Sequence, residues 1–338
     1  RAALLALMLL CLLVLVPSGA IVAQAEIIEI PLDAKVGDLI EPQAGGYLSD
    51  WEYEDPSISV RIEQGRIYDT NYMVAYVKIA NASQIRTAMA GRYSDDGKEF
   101  GRTLAQRNKA VLAINGDYFI GHNNVGFVTR QGKNYRTKCD NVEEKSGLRF
   151  DVLIIDDAGD LHILPQATNA DIAAFPGTIV NGFTFGPGLV IDGVRQTGFV
   201  NMNNAADKAA MRMCIAQTGP LEYMCICSEG PEDKGSVGMN LEQFADLVSS
   251  FEGIQNAYNL DGGISSTMAF KQGGKYVRVN SPNNPSGVVY TADTIKRLAA
   301  LLDECEAAFG HAIYLIADEP YRELVYDSME VPYLTKYY

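Results

Sequence analysis

Apolar positions beyond about residue 46 fall into short strand-like runs and a few stretches with helical spacing. Apolar runs of about four to eight residues that are rich in β-branched side chains are typical of strands. Such runs predict strands at residues 73–80, 110–115, 152–155, 161–164, 211–217, 222–227 and 257–260. Two pairs of these runs flank turn sequences, at residues 156–160 and at Gly219-Pro220, so each pair predicts a hairpin.

The clearest helix is predicted at residues 241–252, where one face carries every large apolar side chain. That face consists of Leu241, Phe244, Leu247, Val248 and Phe251. Asn240 is placed to cap the first turn, with Gln243 three residues later, and Gly253 follows the last turn. A second, shorter helix is predicted at residues 102–108. Strands and helices in this order predict an α+β (mixed α/β) fold.

The first 25 residues predict a secretory signal peptide rather than part of the fold. Arg1 precedes an apolar stretch of Leu, Ala, Val and Met, and small residues end it at Ala23-Gln24-Ala25. The stretch is short for a membrane span, which needs roughly 20 residues, although an uncleaved anchor stays an alternative. We therefore expect a secreted or cell-envelope protein. Residues 26–69 are predicted to form an N-terminal strand and connector.

Charge excludes several classes of partner. The 338 residues include 28 Lys or Arg and 42 Asp or Glu, which gives a formal net charge of −14. Binding to nucleic acid or to an anionic membrane surface needs clustered cations, so neither partner is expected. The three histidines, His122, His162 and His311, are widely spaced. We therefore expect no multi-histidine metal site. No cofactor and no metal ligand are assigned, and binding of a divalent ion by Asp117 and Asp261 stays an open alternative.

The cysteines leave two interpretations open. An odd number of them, five, follows the predicted signal peptide, so at least one thiol stays unpaired within a monomer. A hairpin that turns at Gly219-Pro220 would place Cys214 opposite Cys225, where a cross-strand disulfide would fit. Cys225 and Cys227 face the same way along their strand and are poorly placed to bridge each other. Buried free thiols are the alternative that we favour.

Three turns and one strand carry the candidate chemistry. In NLDGGISST (residues 259–267), Asp261 lies beside Gly262 and Gly263, and Ser265 and Ser266 follow, so the loop could bind an anion or be an ordinary turn.

AINGDYF (residues 113–119) contains Asn115 and Asp117; Asp117 is either a general acid or base or an inert turn residue. FTFGPGLVIDG (residues 183–193) contains Gly186, in a loop that either lines a pocket or forms a β-arch. Arg212 lies within an apolar strand, where a guanidinium usually needs an anionic partner.

These segments together resemble the phosphodiester glycosidase family. The matching stretches are AINGDYF, FGPGLVIDG, the strand around Arg212, and the long block GMNLEQFADLVSSFEGIQNAYNLDGGISSTM at residues 238–268. The resemblance covers roughly residues 70–275, and the order of four separate motifs is far more specific than any one motif. It implies a glycosidase domain over residues 70–278.

The resemblance implies an exported hydrolase that releases a sugar from a sugar-1-phosphodiester, of the N-acetylglucosamine-phosphate type, in bacterial glycan or exopolysaccharide metabolism. Asp261 and Asp117 would activate water or stabilise an oxocarbenium-like state. Arg212 would hold the phosphate as a bidentate fork. The remaining residues implied to bind substrate are Asn115, Gly186, Gly262, Gly263, Ser265 and Ser266.

Departures from the family pattern support an alternative, an inactive carbohydrate- or phosphate-binding module. Ile264 replaces the third glycine of the usual DGGGSS loop, and its branched side chain is expected to resist positive φ and crowd the turn. Met213, Ala216 and Glu229 stand where Thr, Gly and Asp are usual.

Residues 279–338 resemble a fragment of a class I aminotransferase. A helical face of Leu298, Leu301, Leu302, Cys305 and Phe309 precedes a predicted strand at residues 312–316. The resemblance implies pyridoxal-phosphate contacts at Asn284, Asp318 and Tyr321, but no position for the Schiff-base lysine, so we expect no aminotransferase chemistry. A pyridoxal-phosphate enzyme fragment is the lesser alternative, and a chimeric join near residues 279–282 is expected.

Overall fold

The computed structural model describes residues 29–93, 99–118, 124–200, 202, 205–231, 235–280 and 292–311. The predicted signal peptide, the predicted strand at residues 312–316, and Asn284, Asp318 and Tyr321 lie outside the described residues. Within the described ranges, the strands form three sheets and the α-helices number four. Helices and strands are mixed along the chain, which confirms the predicted α+β class.

The largest sheet is antiparallel throughout and runs in the order β1-β2-β3-β4-β14-β13-β15-β11-β12. Its strands are β1 (Tyr47–Ser49), β2 (Glu52–Glu54), β3 (Ile58–Ile67), β4 (Thr70–Ile79), β11 (Gly188–Ile191), β12 (Val194–Arg195), β13 (Arg212–Gly219), β14 (Glu222–Ser228) and β15 (Asn256–Leu260).

Two smaller antiparallel sheets and the helices complete the fold. The five-stranded sheet, in the order β7-β6-β10-β8-β9, contains β6 (Gly126–Arg130), β7 (Lys133–Lys138), β8 (Val152–Asp156), β9 (Leu161–Leu164) and β10 (Ile179–Thr184). The three-stranded sheet, in the order β17-β16-β5, contains β5 (Leu112–Ile114), β16 (Met268–Gln272) and β17 (Lys275–Arg278). The helices are α1 (Gly101–Arg107), α2 (Asn169–Ala173), α3 (Leu241–Ser249) and α4 (Ala292–Phe309).

Helix α3 forms where the apolar spacing predicted it. The side chain of Asn240 accepts a hydrogen bond from the Gln243 backbone N–H, and Gln243 bonds back to Asn240, so the predicted capping box is confirmed. Leu241, Phe244, Leu247 and Val248 are buried in a core cluster on one face of the large sheet. The predicted hairpins β8–β9 and β13–β14 are confirmed as well.

The register of the β13–β14 hairpin differs from the prediction by one residue. Cys214 lies opposite Ile226, and Cys225 lies opposite Ile215, because the register shifts between Gln217 and Gly219 beside the turn. A one-residue slip moves a side chain to the other face of a sheet. Cys214 therefore packs in the cluster beside α3, whereas Cys225 packs in the cluster on the opposite face. The disulfide considered between Cys214 and Cys225 is wrong.

The cysteines of the described residues are all free thiols. Cys225 and Cys227 share one face of β14, as their spacing predicted. Burial raises the pKa of the Cys225 thiol to about 12 and that of Cys139 to about 11. These thiols are therefore small core residues.

The predicted C-terminal helix is present as α4, and two leucines of its apolar face are exposed. Leu298 and Leu301 are 39% and 55% exposed, whereas Ala299 is buried. Across the parts of the chain that are described, every helix is too short or too polar to cross a membrane.

Candidate functional site

Two loops that the sequence singled out meet at one end of the three-stranded sheet. The backbone N–H of Asp261 donates to the carbonyl of Gly116 at 3.0 Å. The Asn115 side chain donates to the carbonyl of Asp261 at 2.8 Å and accepts from the N–H of Thr267 at 2.8 Å. The side chain predicted to contact substrate at Asn115 is therefore occupied in joining the loops after β5 and β15.

The carboxyl group of Asp261 lies half-buried in this junction. Burial raises its pKa to about 6, and the negative charge of Asp117 adds to that rise. Hydrogen bonds from the Ser265 hydroxyl and the Gly262 backbone N–H act in the opposite direction and stabilise the carboxylate. A carboxyl group with this pKa is mostly ionised at pH 7 and can still take up a proton readily.

The two glycines after Asp261 allow a backbone conformation that other residues would not allow. A Cβ atom at Gly262 would lie 2.7 Å from the carbonyl oxygen of Met211, so only glycine fits there. Gly263 has a φ of +57°, in the left-handed region. The expected crowding at Ile264 is wrong, because Ile264 is outside the positive-φ region and its side chain is 78% exposed.

Ser266 and Gly186 are buried next to the segment that contains Asp261. Ser266 is fully buried, and its carbonyl accepts hydrogen bonds from the side chains of Asn280 (2.9 Å) and Arg278. Gly186 is buried and exchanges hydrogen bonds with Asn259, at 3.2 Å and 2.8 Å. Neither residue lies on the wall of the groove described below, so the structure does not bring them to the predicted contact with substrate.

Arg212 is placed differently from the prediction. Its side chain is on the α3 face of the large sheet and only 2% of the residue is exposed. The guanidinium donates to the backbone carbonyls of Met239 (2.9 Å), Ala205 (2.9 Å) and Lys208 (2.6 Å). Burial lowers the pKa of Arg212 to about 10. The negative charge of Asp207 acts in the opposite direction, and Arg212 does not line the groove, so the structure does not bring it to the expected phosphate.

Asp117 is bound to an arginine that the sequence analysis missed. Arg130, the last residue of β6, forms an ion pair with Asp117, and the side chains are 12% and 7% exposed. The other carboxylate oxygen of Asp117 accepts from the N–H of Thr184 at 3.0 Å. The Arg130 guanidinium also donates to the backbone carbonyls of Thr129 (3.0 Å) and Gly182, and it lies 4.2 Å from the centre of the Phe183 ring. Asp117 is therefore fixed in a structural pair that orients Arg130.

An open groove of about 1600 Å³ runs between the sheets and includes Asp261, Asp117, Asn115 and Ser265 on its wall. Among the described residues, seven cationic side chains line it: Arg86, Arg92, Arg102, Lys109, Arg130, Arg136 and Arg278. Six acidic side chains of the described residues line it: Asp33, Glu41, Asp55, Glu99, Asp117 and Asp261. Cations and carboxylates are therefore nearly equal in number along the described lining, although the whole chain has a net charge of −14.

Arg130, Arg136 and Arg278 line the groove and were not singled out by the sequence analysis. Each occurs in a strand that the apolar runs did not predict, so the argument that singled out Arg212 could not find them. Only the fold shows which arginine faces the groove. In the described ranges, the structure contains no group of three His, Cys, Asp or Glu side chains that could hold a metal ion.

Comparison with known families gives two overlapping matches. The phosphodiester glycosidase profile matches residues 108–294, and the profile of aminotransferase class I and II matches residues 254–337. Among solved structures, the catalytic domain of zebrafish N-acetylglucosamine-1-phosphodiester alpha-N-acetylglucosaminidase, auto-inhibited by its pro-peptide, is similar with a TM-score of 0.50 and 18% identity. That match covers 72% of this chain and 80% of the zebrafish domain, and it shows a shared fold.

The curated relatives are similar only to a short segment. A probable aspartate/prephenate aminotransferase of Thermus aquaticus is 45% identical over 54 residues, and an aspartate aminotransferase of Geobacillus stearothermophilus is 38% identical over 52 residues. These segments are 16% and 15% of this chain, which spans 12% of the length of each relative.

Proposed function

The chain belongs to the phosphodiester glycosidase family, whose profile covers more than half of its length, and on that premise we propose that it hydrolyses sugar-1-phosphodiesters. The observation that carries the proposal is the groove in which Asp261, a carboxyl group of raised pKa, shares a wall with the Arg130–Asp117 pair. The sugar we propose is N-acetylglucosamine or a close relative, with its anomeric carbon near Asp261 and its phosphate toward Arg130.

Arg130 takes the role that the sequence analysis gave to Arg212. Its ion pair with Asp117 is neutral as a unit, and Arg136 is also on the wall, at 9% exposed. Arg130, Asp117 and Arg136 together carry one net positive charge. A phosphodiester carries one negative charge, so the substrate would neutralise these three groups, and the Asp261 carboxylate remains as a separate negative charge on the same wall. Orientation of Arg130 by Asp117 would preserve its geometry before the substrate arrives.

Asp261 would act as the general base. Water attacks the anomeric carbon, and the bond between that carbon and the phosphate oxygen breaks with its electron pair left on the phosphate. The Asp261 carboxylate accepts the proton that the water loses and then releases it to solvent. The products are the free sugar and a phosphate monoester. Phosphate is a good leaving group, so charge stabilisation and positioning matter more than protonation of the leaving oxygen.

The test is sugar release by the purified protein from a panel of N-acetylglucosamine-1-phosphodiesters. We expect release by the unaltered protein, loss of it in Asp261→Asn, and a raised KM in Arg130→Met. Val200→Ser, which changes an exposed side chain outside the groove, serves as the matched control. Folded, soluble protein that releases no sugar from any substrate would overturn the proposed hydrolysis. Binding of substrates without turnover would instead select the inactive binding module.

We also propose that the protein is exported and acts on glycan or exopolysaccharide. The support is the signal-peptide pattern of residues 1–25. Fractionation of cells that express the chain, followed by mass determination of its N-terminus, tests this. A protein that keeps residues 1–25 and stays in the cytoplasmic fraction would contradict export.

A further inference from the structure

The groove is chemically divided. One end contains Asp261 and Arg130, which the proposed function assigns to the sugar and the phosphate, and Ser265 lies beside them. Part of the remaining wall is aliphatic and consists of partly buried side chains that pack against the main core, for example Val77, Ile85, Leu112 and Ile215. A ligand that extends beyond the phosphate would therefore contact hydrocarbon surface.

Exposed apolar side chains gather at the mouth of the same groove. Of the fourteen large apolar side chains that are exposed in the described residues, five line it: Leu32, Val36, Ile40, Phe100 and Ile264. Phe100 and Ile264 are 69% and 78% exposed. Apolar surface that is concentrated at one site, rather than scattered singly, marks a binding surface.

Two contacts connect this apolar rim to the end that contains Asp261. Ile264 directly precedes Ser265, whose hydroxyl bonds to Asp261. The exposed apolar side chain and the polar group next to Asp261 therefore belong to adjacent residues. Phe100 precedes Gly101, where a Cβ atom would lie 2.7 Å from Cγ2 of Thr267. The start of α1 therefore packs on the loop that contains Ile264 and Ser265.

The volume of the groove exceeds what a sugar phosphate needs. Sites for small molecules usually enclose about 300–1,000 Å³, whereas this groove encloses about 1600 Å³. Charged side chains such as Asp55 and Arg92 also line the remaining space, and the five exposed apolar side chains give it a hydrocarbon surface. An alkyl chain requires only apolar surface.

We propose that the alcohol beyond the phosphate carries a long aliphatic chain that lies along this apolar part of the groove, so that the substrate is a sugar-1-phosphodiester of a lipid alcohol. The proposal rests on the proposed function for the position of the phosphate. It assigns Ile264 and Phe100 to substrate selection, and it makes Ile264 a determinant of specificity.

The test measures binding separately from hydrolysis. Calorimetric titration compares ethyl, butyl and octyl phosphate, each below the concentration at which it forms micelles. Each methylene that becomes buried strengthens binding by up to about fourfold, so we expect octyl phosphate to bind at least about thirtyfold more tightly than ethyl phosphate. Ile264→Ser and Phe100→Ser should weaken octyl phosphate binding about fivefold each and leave ethyl phosphate binding unchanged. Val194→Ser, at an exposed position outside the groove, is the control.

Equal affinity for the three phosphates, or an equal loss in Val194→Ser, overturns the proposal. An extended apolar peptide that displaces octyl phosphate and binds more tightly also overturns it, because the groove would then accept a polypeptide. Sugar release from the methyl and octyl phosphodiesters distinguishes a failure of the lipid inference from a failure of the proposed hydrolysis. Release without preference for the octyl substrate refutes the lipid inference alone. Chain-length-dependent binding without any release refutes the proposed hydrolysis and supports the hydrocarbon site.

Discussion

The carboxylate of Asp117 pairs with the guanidinium of Arg130 at the wall of the groove, and both side chains are almost fully buried. Removal of one partner from such a pair leaves a buried charge uncompensated. We expect Asp117→Ala to lower the free energy of unfolding by about 3 kcal/mol, measured by urea denaturation. The double variant Asp117→Ala/Arg130→Met should lose less than the two single losses together.

Asp157 provides the matched control for Asp117. It is an exposed aspartate in the β8–β9 turn, so Asp157→Ala should change stability by less than about 0.5 kcal/mol. Equal stabilities of Asp117→Ala and Asp157→Ala would contradict a structural role for the Asp117–Arg130 pair.

The pH dependence of hydrolysis should report the raised pKa of Asp261. If its carboxylate is the base, kcat/KM increases as pH rises and levels off above a midpoint of about 6. A profile with a midpoint near pH 4, the ordinary value of an aspartate, would contradict the burial of this group.

The contribution of Asp261 to folding stability should decrease as pH rises, whereas the activity should increase. The pKa of Asp261 is higher in the folded than in the unfolded chain, so its contribution is fully present below about pH 4 and is lost as pH rises through 6. Asp261→Asn should therefore be more stable than the unaltered protein at pH 8, by at most about 3 kcal/mol, and lose this advantage at pH 4. Urea denaturation at both pH values measures the difference, and an advantage that is independent of pH would refute it.

A variant of Arg212 can distinguish a structural role from the phosphate-binding role predicted from the sequence. Arg212→Lys keeps a cation but cannot reach three carbonyl groups in the same geometry, so we expect a loss of about 2–4 kcal/mol in stability. Sugar release measured at a temperature where the variant is fully folded should show an unchanged KM. A raised KM with unchanged stability would instead restore the phosphate-binding role predicted from the sequence.

Gly262 should tolerate no side chain. In Gly262→Ala the new methyl group would meet the Met211 carbonyl, and relief of that contact must displace the loop that carries Asp261. We expect sugar release to fall on the order of tenfold or more. Gly45→Ala is the control, because a Cβ atom there meets nothing within 4 Å. Similar activities of the two variants would show that the loop adapts.

The elements that depend on local signals could be predicted from the sequence. Helix α3 follows from its apolar spacing and the Asn240–Gln243 capping box, and the hairpins follow from their turns. The meeting of the Asp117 and Asp261 loops on one groove could be expected only through family resemblance, since 144 residues separate them.

Contacts between residues far apart in the sequence determine the features that the sequence analysis did not predict. Arg212 and Arg130 both lie in strands and both donate to backbone carbonyls, and the sequence does not show that Arg130 in addition pairs with Asp117 and lines the groove. The Cys214 register was wrong for a related reason, because an irregularity of one residue near a turn has no clear sequence signature.

The register shift beside the β13–β14 turn restricts insertions and deletions in this hairpin more than it restricts substitutions. Both faces of β14 are buried, with Met224 and Ile226 packed on one side and Cys225 and Cys227 on the other. Substitutions within the turn leave this arrangement intact. Insertion or deletion of a single turn residue would exchange the two faces, with methionine and isoleucine entering spaces shaped for cysteine. Natural and engineered variants of this hairpin should therefore differ in turn composition but keep the same turn length.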